Sequence, residues 1–157
     1  MSKMMAQTLT QRSDQLLESA RKTHRGVFLT GPNQIEILTD KLPESSFGGK
    51  EFLLASLGNC RCASDAKAIR QFDAHARVPS GADRIALGHE TLQIVLQAPE
   101  GSKVKVGDLV VITPGHASEP IDPLAFKPVS DGVLAALGYS YRYLGGLRQY
   151  NCIPATA

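Results

Sequence analysis

The 157-residue sequence has no tryptophan, only three cysteines and no long apolar run. A helix that crosses a bilayer needs roughly 20 mostly apolar residues, so the sequence predicts no membrane span. Residues 1–7 turn polar at once and lack the hydrophobic stretch of a signal peptide. Three cysteines cannot all pair, and Cys60 and Cys62 are too close in sequence for an easy disulfide. Free thiols and a reducing, cytoplasmic location are therefore predicted.

The sequence also lacks any block of basic residues. Its 17 Lys and Arg and 15 Asp and Glu are scattered, and the formal net charge is only +2. The tyrosines and phenylalanines are not interleaved with basic residues, so a nucleic-acid partner is not expected. A hydrophobic share of 43% and a charged share of 20% are typical of one globular domain that can bury its own core.

The pattern of apolar residues predicts many short strands and little helix. Residues 6–24 contain no Gly or Pro and predict a largely polar helix. A second helix is predicted over residues 64–72, with Ser64 or Asp65 as its cap, and a helical turn over residues 133–137. Residues 114–132 are predicted to form a long loop. Alternation, apolar runs and Gly/Pro turns predict strands at 26–29, 34–39, 51–57, 92–97, 109–112, 141–144 and 149–153. The predicted fold class is mainly β, a partly open barrel with short helices.

Two clusters contain residue types that carry chemistry. The first is Gly58-Asn59-Cys60-Arg61-Cys62-Ala63-Ser64-Asp65, and the second is Gly88-His89-Glu90. Thiolate, imidazole and carboxylate are ligands that Zn²⁺ accepts, and a catalytic zinc ion needs about three of them. From the residues alone, two simpler interpretations stay open: Cys62 is a small buried apolar residue, and His89 is a turn residue bonded to backbone.

Five short motifs in order resemble one protein family. They are Gly31-Pro32 with Ile35-Glu36-Ile37, Cys62-Ala63-Ser64-Asp65, Gly88-His89-Glu90, Val106-Gly107-Asp108-Leu109-Val110, and the segment from Gln149 to Ala155. On these motifs, residues 26–154 resemble the N-terminal GroES-like catalytic domain of zinc-dependent medium-chain alcohol or polyol dehydrogenases. The resemblance divides the chain into an N-terminal helical extension, residues 1–25, and a catalytic domain, residues 26–157.

The resemblance implies a role for each site residue. Cys62 and His89 would bind a catalytic Zn²⁺ ion, and Glu90 would be a carboxylate that can enter or leave its coordination sphere. Ser64 would relay the proton of the alcohol, and Asp65 would lie behind His89. Cys60 competes with Cys62 for the first ligand position, but Asp65 follows Cys62 by three residues, as the family pattern requires.

The implied reaction is oxidation of a small-molecule alcohol, in which zinc lowers the pKa of the alcohol and hydride leaves for NAD or NADP. The sequence has no Gly-x-Gly-x-x-Gly fingerprint, so a Rossmann domain is expected to be absent from this chain. Cofactor binding and turnover would then need a nucleotide-binding partner or a missing C-terminal half. No structural zinc is expected, because residues 114–132 contain no Cys, and His116 and Glu119 there are interpreted as loop residues.

Two alternative hypotheses compete with the enzyme hypothesis. The sequence leaves the oligomeric state open, and a homo-oligomer is among the options. A non-catalytic GroES-like binding or assembly module is favoured by Gln93, which stands where the family pattern has glycine. A zinc-free reductase of the same superfamily is disfavoured by the presence of Cys62 and His89.

Overall fold

The computed structural model describes residues 3–75, 78, 80–114, 122–138 and 146–155. The helices are α1 (Lys3–Ala20) and α2 (Ala63–Gln71), with short 3-10 helices at Glu44–Phe47 and Phe72–Ala74. The strands are β1 (His24–Gly31), β2 (Gln34–Asp40), β3 (Glu51–Cys60), β4 (Ile85–Ala86), β5 (Glu90–Gln97), β6 (Leu109–Pro114), β7 (Lys127–Ser130), β8 (Val133–Gly138) and β9 (Tyr150–Pro154).

The predictions for His116, Glu119 and residues 141–144 lie outside the described residues. No helix in the described part of the chain is long and apolar enough to cross a membrane.

The smaller sheet has three strands in the order β2-β1-β4. β1 and β2 form an antiparallel hairpin whose turn includes Asn33 at a φ of 59°. Asn tolerates this left-handed conformation, and the preceding Pro32 cannot extend a strand ladder, so this turn is as predicted. β2 was expected to be half-buried. Instead, Ile35 and Ile37 are 50% and 61% exposed, on a strand that lies at the edge of its sheet.

The larger sheet has six strands in the order β7-β8-β6-β5-β3-β9. β6 and β8 pair in parallel, and every other pair in this sheet is antiparallel. The predicted fold class, a mainly β, GroES-like partly open barrel with the Rossmann domain absent from the chain, is therefore wrong. The described residues form two separate sheets, and the larger one is mixed.

The prediction of a helical turn over residues 133–137 is also wrong, because this segment is strand β8. Its residues, Val-Leu-Ala-Ala-Leu, suit a short helix and a buried strand equally well. Pairing with β6 on one side and β7 on the other decides the outcome. β7 itself lies inside the stretch that was predicted to be a loop.

Alternate residues of β3 enter two hydrophobic clusters on opposite faces of the larger sheet. Phe52 and Leu54 belong to one cluster, and Leu53 and Ala55 belong to the other. Successive side chains of a strand point to opposite faces, so a continuous apolar run is the sequence that a strand covered on both faces requires. The predicted buried strand is thus confirmed. Ala20, at the end of α1, packs in the second cluster and anchors that helix to the sheet.

A third cluster joins the smaller sheet to α2. It contains Leu29 from β1, Ile85 from β4 and Ala68 from α2, all of them buried. This packing fixes the start of α2 relative to the chain that follows β4. The candidate site described below lies between these two segments.

A buried ion-pair cluster holds the end of β2 against the chain that precedes β9. Asp40 is paired with Arg148 at 2.5 Å and with Arg84 at 3.4 Å. The Nε2 atom of His24 lies 3.9 Å from the same carboxylate, and its ring is edge-on to the ring of Tyr150. Charges that are this deeply buried are stable only when paired, so Asp40 is the anchor of the cluster.

The buried imidazole of His24 gives a pH prediction. Burial and the nearby Arg148 lower the pKa of His24, and Asp40 opposes them only in part. The neutral ring is favoured in the folded protein, whereas the unfolded chain takes up a proton at a pH of about 6.5. Unfolding therefore binds protons as the pH falls below about 6.5, and the stability contributed by the neutral ring is lost there. Urea unfolding at pH 7.5 and pH 5.5 should show a smaller loss of stability for His24→Gln than for the natural protein. An equal loss in both proteins would contradict this assignment.

Candidate metal centre

The first part of the site is the junction between β3 and α2. Cys62 has extended backbone angles and is the N-cap of α2: its Sγ accepts a hydrogen bond from the N–H of Ser64 at 3.3 Å. In return, the N–H of Cys62 donates to Asp65 Oδ2 at 3.1 Å, which completes a capping box. Ser64 or Asp65 was expected to be the cap. The N-cap is instead Cys62, with Asp65 as its acidic partner. The prediction missed it because Cys is not among the residues that usually signal an N-cap.

The second part of the site is the turn before β5. Gly88 has a φ of 88°, and a Cβ atom added there would lie 2.5 Å from Asn59 Oδ1. Only glycine fits this backbone without strain. The tight turn places His89, which is 1% exposed, against the start of α2. The side chain of Asn59 also lies where a Cβ of Gly146 would be, so it fills the space between two glycine turns. Asn59 belongs to the first cluster found in the sequence, but no pattern there gave it a role.

His89 bridges the two parts of the site. Its Nδ1 lies 3.1 Å from Asp65 Oδ1, and its Nε2 lies 2.9 Å from Cys62 Sγ. The carboxylate of Asp65 keeps the proton of the imidazole on Nδ1. The lone pair of Nε2 then faces the sulfur of Cys62. Cys62 and His89, which are 27 positions apart in the sequence, are therefore brought into contact.

The charges of the site stabilise a thiolate beside a basic imidazole. Burial raises the pKa of Cys62, but the hydrogen bonds from Ser64 and Asp65 and the charge of His89 outweigh it, so that this pKa is lowered. Burial lowers the pKa of His89, but Asp65 and Cys62 outweigh it, so that this pKa is raised. The largest opposing cause is the Ser64 hydrogen bond for Cys62 and the Asp65 carboxylate for His89, and the two groups add a smaller mutual stabilisation of their charged forms.

Glu90 completes a group of three potential metal ligands. Atoms of Cys62, His89 and Glu90 that can bind a metal all lie within 4.8 Å of one another. In a tetrahedral site with Zn–S near 2.3 Å and Zn–N near 2.0 Å, ligand atoms are separated by roughly 3.6 Å. A small shift of the contacting Cys62 and His89 side chains is enough to reach that spacing, so these residues fit Zn²⁺. Metal binding itself stays a prediction.

The remaining residues singled out from the sequence lie around this group. Ser64 is half-buried beside the thiol, and its role as a proton relay stays a prediction. Cys60 is exposed at the end of β3. Gln93, which stands where the family pattern has glycine, is fully buried, and its Nε2 donates to Ser56 Oγ at 3.4 Å. The larger sheet thus accommodates this side chain inside its core.

A cavity of about 400 Å³ opens beside the site. It is lined by Gly58, Asn59, Cys60, Glu90, Thr91, Leu92 and Val111. Glu90 belongs to both the cavity wall and the group of potential ligands, so a molecule in the cavity would have access to that group. Pockets that bind small molecules usually have this size and a mostly apolar wall with a few polar groups.

No protein-family model and no curated protein matches the chain. Among solved structures, it is similar to an oxidoreductase/dehydrogenase of unknown specificity involved in membrane biogenesis from Escherichia coli, with 22% identity over 85% of this chain and a TM-score of 0.54. A short chain alcohol dehydrogenase from E. coli complexed with NADH has the same identity and a TM-score of 0.48. The chain spans only 38% and 36% of the length of these two structures. The likeness to the first of these structures, at 22% identity, shows a shared fold alone.

These findings correct the family assignment. The prediction that the chain is the GroES-like catalytic domain of a zinc-dependent medium-chain dehydrogenase is wrong, since no family model matches and the similar fold is that of an oxidoreductase/dehydrogenase of unknown specificity. The function inferred from that assignment, including the non-catalytic GroES-like module, is wrong with it. The comparisons support the coarser description, a fold found in oxidoreductases of the dehydrogenase class.

Proposed function

We propose that this chain is part of an oxidoreductase of the dehydrogenase class and that Cys62, His89 and Glu90 bind one Zn²⁺ ion in it. The observation that carries the proposal is the convergence of one thiolate, one imidazole and one carboxylate within 4.8 Å. A donor set of this composition, with three protein ligands, is typical of catalytic rather than structural zinc. The shared fold with a larger oxidoreductase/dehydrogenase supports the enzyme class.

The chain's own residues prepare this donor set. Asp65 holds the Nδ1–H of His89, so that Nε2 is the nitrogen that would bind the metal. The N–H of Ser64 donates to the sulfur of Cys62 and stabilises its thiolate form. Asp65 acts on both ligands, because its second oxygen accepts the N–H of Cys62. A bound zinc ion would supply Lewis-acid polarisation of a substrate oxygen.

The complete enzyme needs a hydride acceptor, and we propose NAD or NADP for that role. The described residues contain no glycine-rich turn between a strand and a helix, so they do not fit the diphosphate of this cofactor. The cofactor would therefore be held by other parts of the protein. A small-molecule substrate, a cytoplasmic location and a homo-oligomeric state remain parts of the proposal.

One observation favours a second candidate function. The chain of contacts from Cys62 Sγ to His89 Nε2, and from His89 Nδ1 to Asp65, has the order of nucleophile, base and orienting carboxylate. In a protein without metal, this arrangement suits covalent catalysis by a thiol. The two candidates differ in whether the sulfur is occupied by an ion.

Metal analysis of the purified protein distinguishes them. The zinc proposal expects one zinc per chain, its removal by a strong chelator, and its full recovery when Zn²⁺ is added back. The thiol candidate expects no bound metal at any stage and selective alkylation of Cys62 by iodoacetamide over the exposed Cys60. Absence of zinc uptake under reducing conditions would overturn the metal proposal.

A further inference from the structure

We propose that Cys60 is a second thiolate ligand of the same metal ion, and that it fills the fourth coordination position in the resting protein. This inference rests on the proposed zinc site. It adds a donor that lies outside the group of Cys62, His89 and Glu90, and it changes the composition of the site to two sulfurs, one nitrogen and one oxygen.

The backbone places Cys60 close to a proposed ligand. Cys60 is the last residue of β3, and Cys62 continues in an extended conformation, with φ −125° and ψ 176°. Only Arg61 separates the two cysteines in the sequence, so their Cα atoms lie at most about 7 Å apart.

The strand register brings Cys60 next to the carboxylate ligand. Cys60 pairs directly with Glu90 in the antiparallel ladder between β3 and β5. Side chains that are directly opposite in such a ladder have Cβ atoms about 4.5–5.5 Å apart. The two residues also line the same cavity. Cys60 is thus flanked by two proposed ligands, Cys62 along the chain and Glu90 across it.

One rotation connects Cys60 to the site. Its Sγ is not one of the three atoms within 4.8 Å of one another. A change of χ1 between staggered positions moves a cysteine sulfur by about 3 Å, and this movement would turn Cys60 towards the metal. Because Cys60 is exposed, this rotation displaces no packed neighbour. Zn²⁺ prefers four ligands in a tetrahedral arrangement, and thiolate sulfur is a strong donor.

Cobalt substitution tests the number of sulfur ligands directly. Co²⁺ takes tetrahedral sites like those of Zn²⁺ and has an ultraviolet thiolate-to-metal charge-transfer band whose intensity follows the number of bound sulfurs. We expect Cys60→Ser to lower this band to about half of its natural intensity while one Co²⁺ per chain is retained. Cys152→Ser is the matched control, since its thiol donates to Glu51 Oε2 at 2.6 Å, and it should leave the band unchanged.

The outcomes separate this inference from the function on which it rests. A full-strength band in Cys60→Ser, at unchanged stoichiometry, overturns the role of Cys60 and leaves the zinc site intact. Failure of the natural protein to bind Co²⁺ overturns both proposals. Circular dichroism of Cys60→Ser confirms that the fold is kept, as expected for an exposed residue.

Discussion

Cys62→Ser is expected to abolish stoichiometric zinc binding and to leave the fold intact. Serine is a good N-cap, so the hydroxyl keeps the hydrogen bond at the start of α2 that the thiol makes with Ser64. A neutral hydroxyl is a far weaker zinc donor than a thiolate, so zinc affinity should fall by more than about 100-fold. This loss exceeds the roughly 10- to 100-fold that is typical when a residue that only orients a ligand is replaced. Competition with a chromophoric chelator measures the affinity, and circular dichroism monitors the helices.

Two further variants set the scale of this effect. Cys152→Ser should bind zinc with natural affinity, because burial and the contact with Glu51 raise the pKa of Cys152 to about 12 and keep its thiol protonated. Asp65→Asn should weaken zinc binding by about 10- to 100-fold, since the residue orients His89 but does not itself ligate. Retention of one tightly bound zinc by Cys62→Ser would rule out the assigned ligand set.

Asp40→Ala is expected to cost about 3–5 kcal/mol of unfolding free energy. The substitution leaves the buried guanidinium of Arg148 without its partner, at a position where its side chain is only 16% exposed. It also removes the pairing of Arg84, whose guanidinium lies over the ring of Phe28. Urea or thermal unfolding measures the loss.

The matched control for this variant is another carboxylate that is paired with two basic residues. Glu44 lies 3.7 Å from Arg21 and 3.8 Å from Lys41, but its side chain is 71% exposed. Exposed pairs of this kind contribute about 0–1 kcal/mol, so Glu44→Ala should change stability very little. Equal losses in the two variants would show that burial of Asp40 is not the cause of its effect.

Local patterns predicted much of the secondary structure correctly. The hairpin of β1 and β2 could be foreseen because Pro32 fixes its own φ angle and Asn33 tolerates the left-handed conformation of the turn. The buried strand β3 could be foreseen because four consecutive apolar residues suit a strand that is covered on both faces. In both cases the information lies within a few neighbouring residues.

Patterns that depend on distant neighbours were assigned wrongly. β8 was taken for a helical turn, since its short apolar run has no property of its own that selects a strand. Ile35 and Ile37 alternate as in a half-buried strand, yet both side chains are at least half exposed on an edge strand. The N-cap of α2 was missed because a cysteine acts there in place of the usual hydroxyl or carboxamide.

The sequence by itself determined which side chains could ligate a metal, since residue type alone makes Cys62, His89 and Glu90 candidates. It also determined the glycine turn that places His89, because Gly88 adopts a backbone conformation that other residues resist. Only the tertiary structure decided that the thiol and the imidazole meet across 27 positions, and that Asp65 joins them. The reason is physical: this contact depends on how α2 and β5 pack against β3, and packing is the sum of many weak long-range contacts that no local pattern encodes.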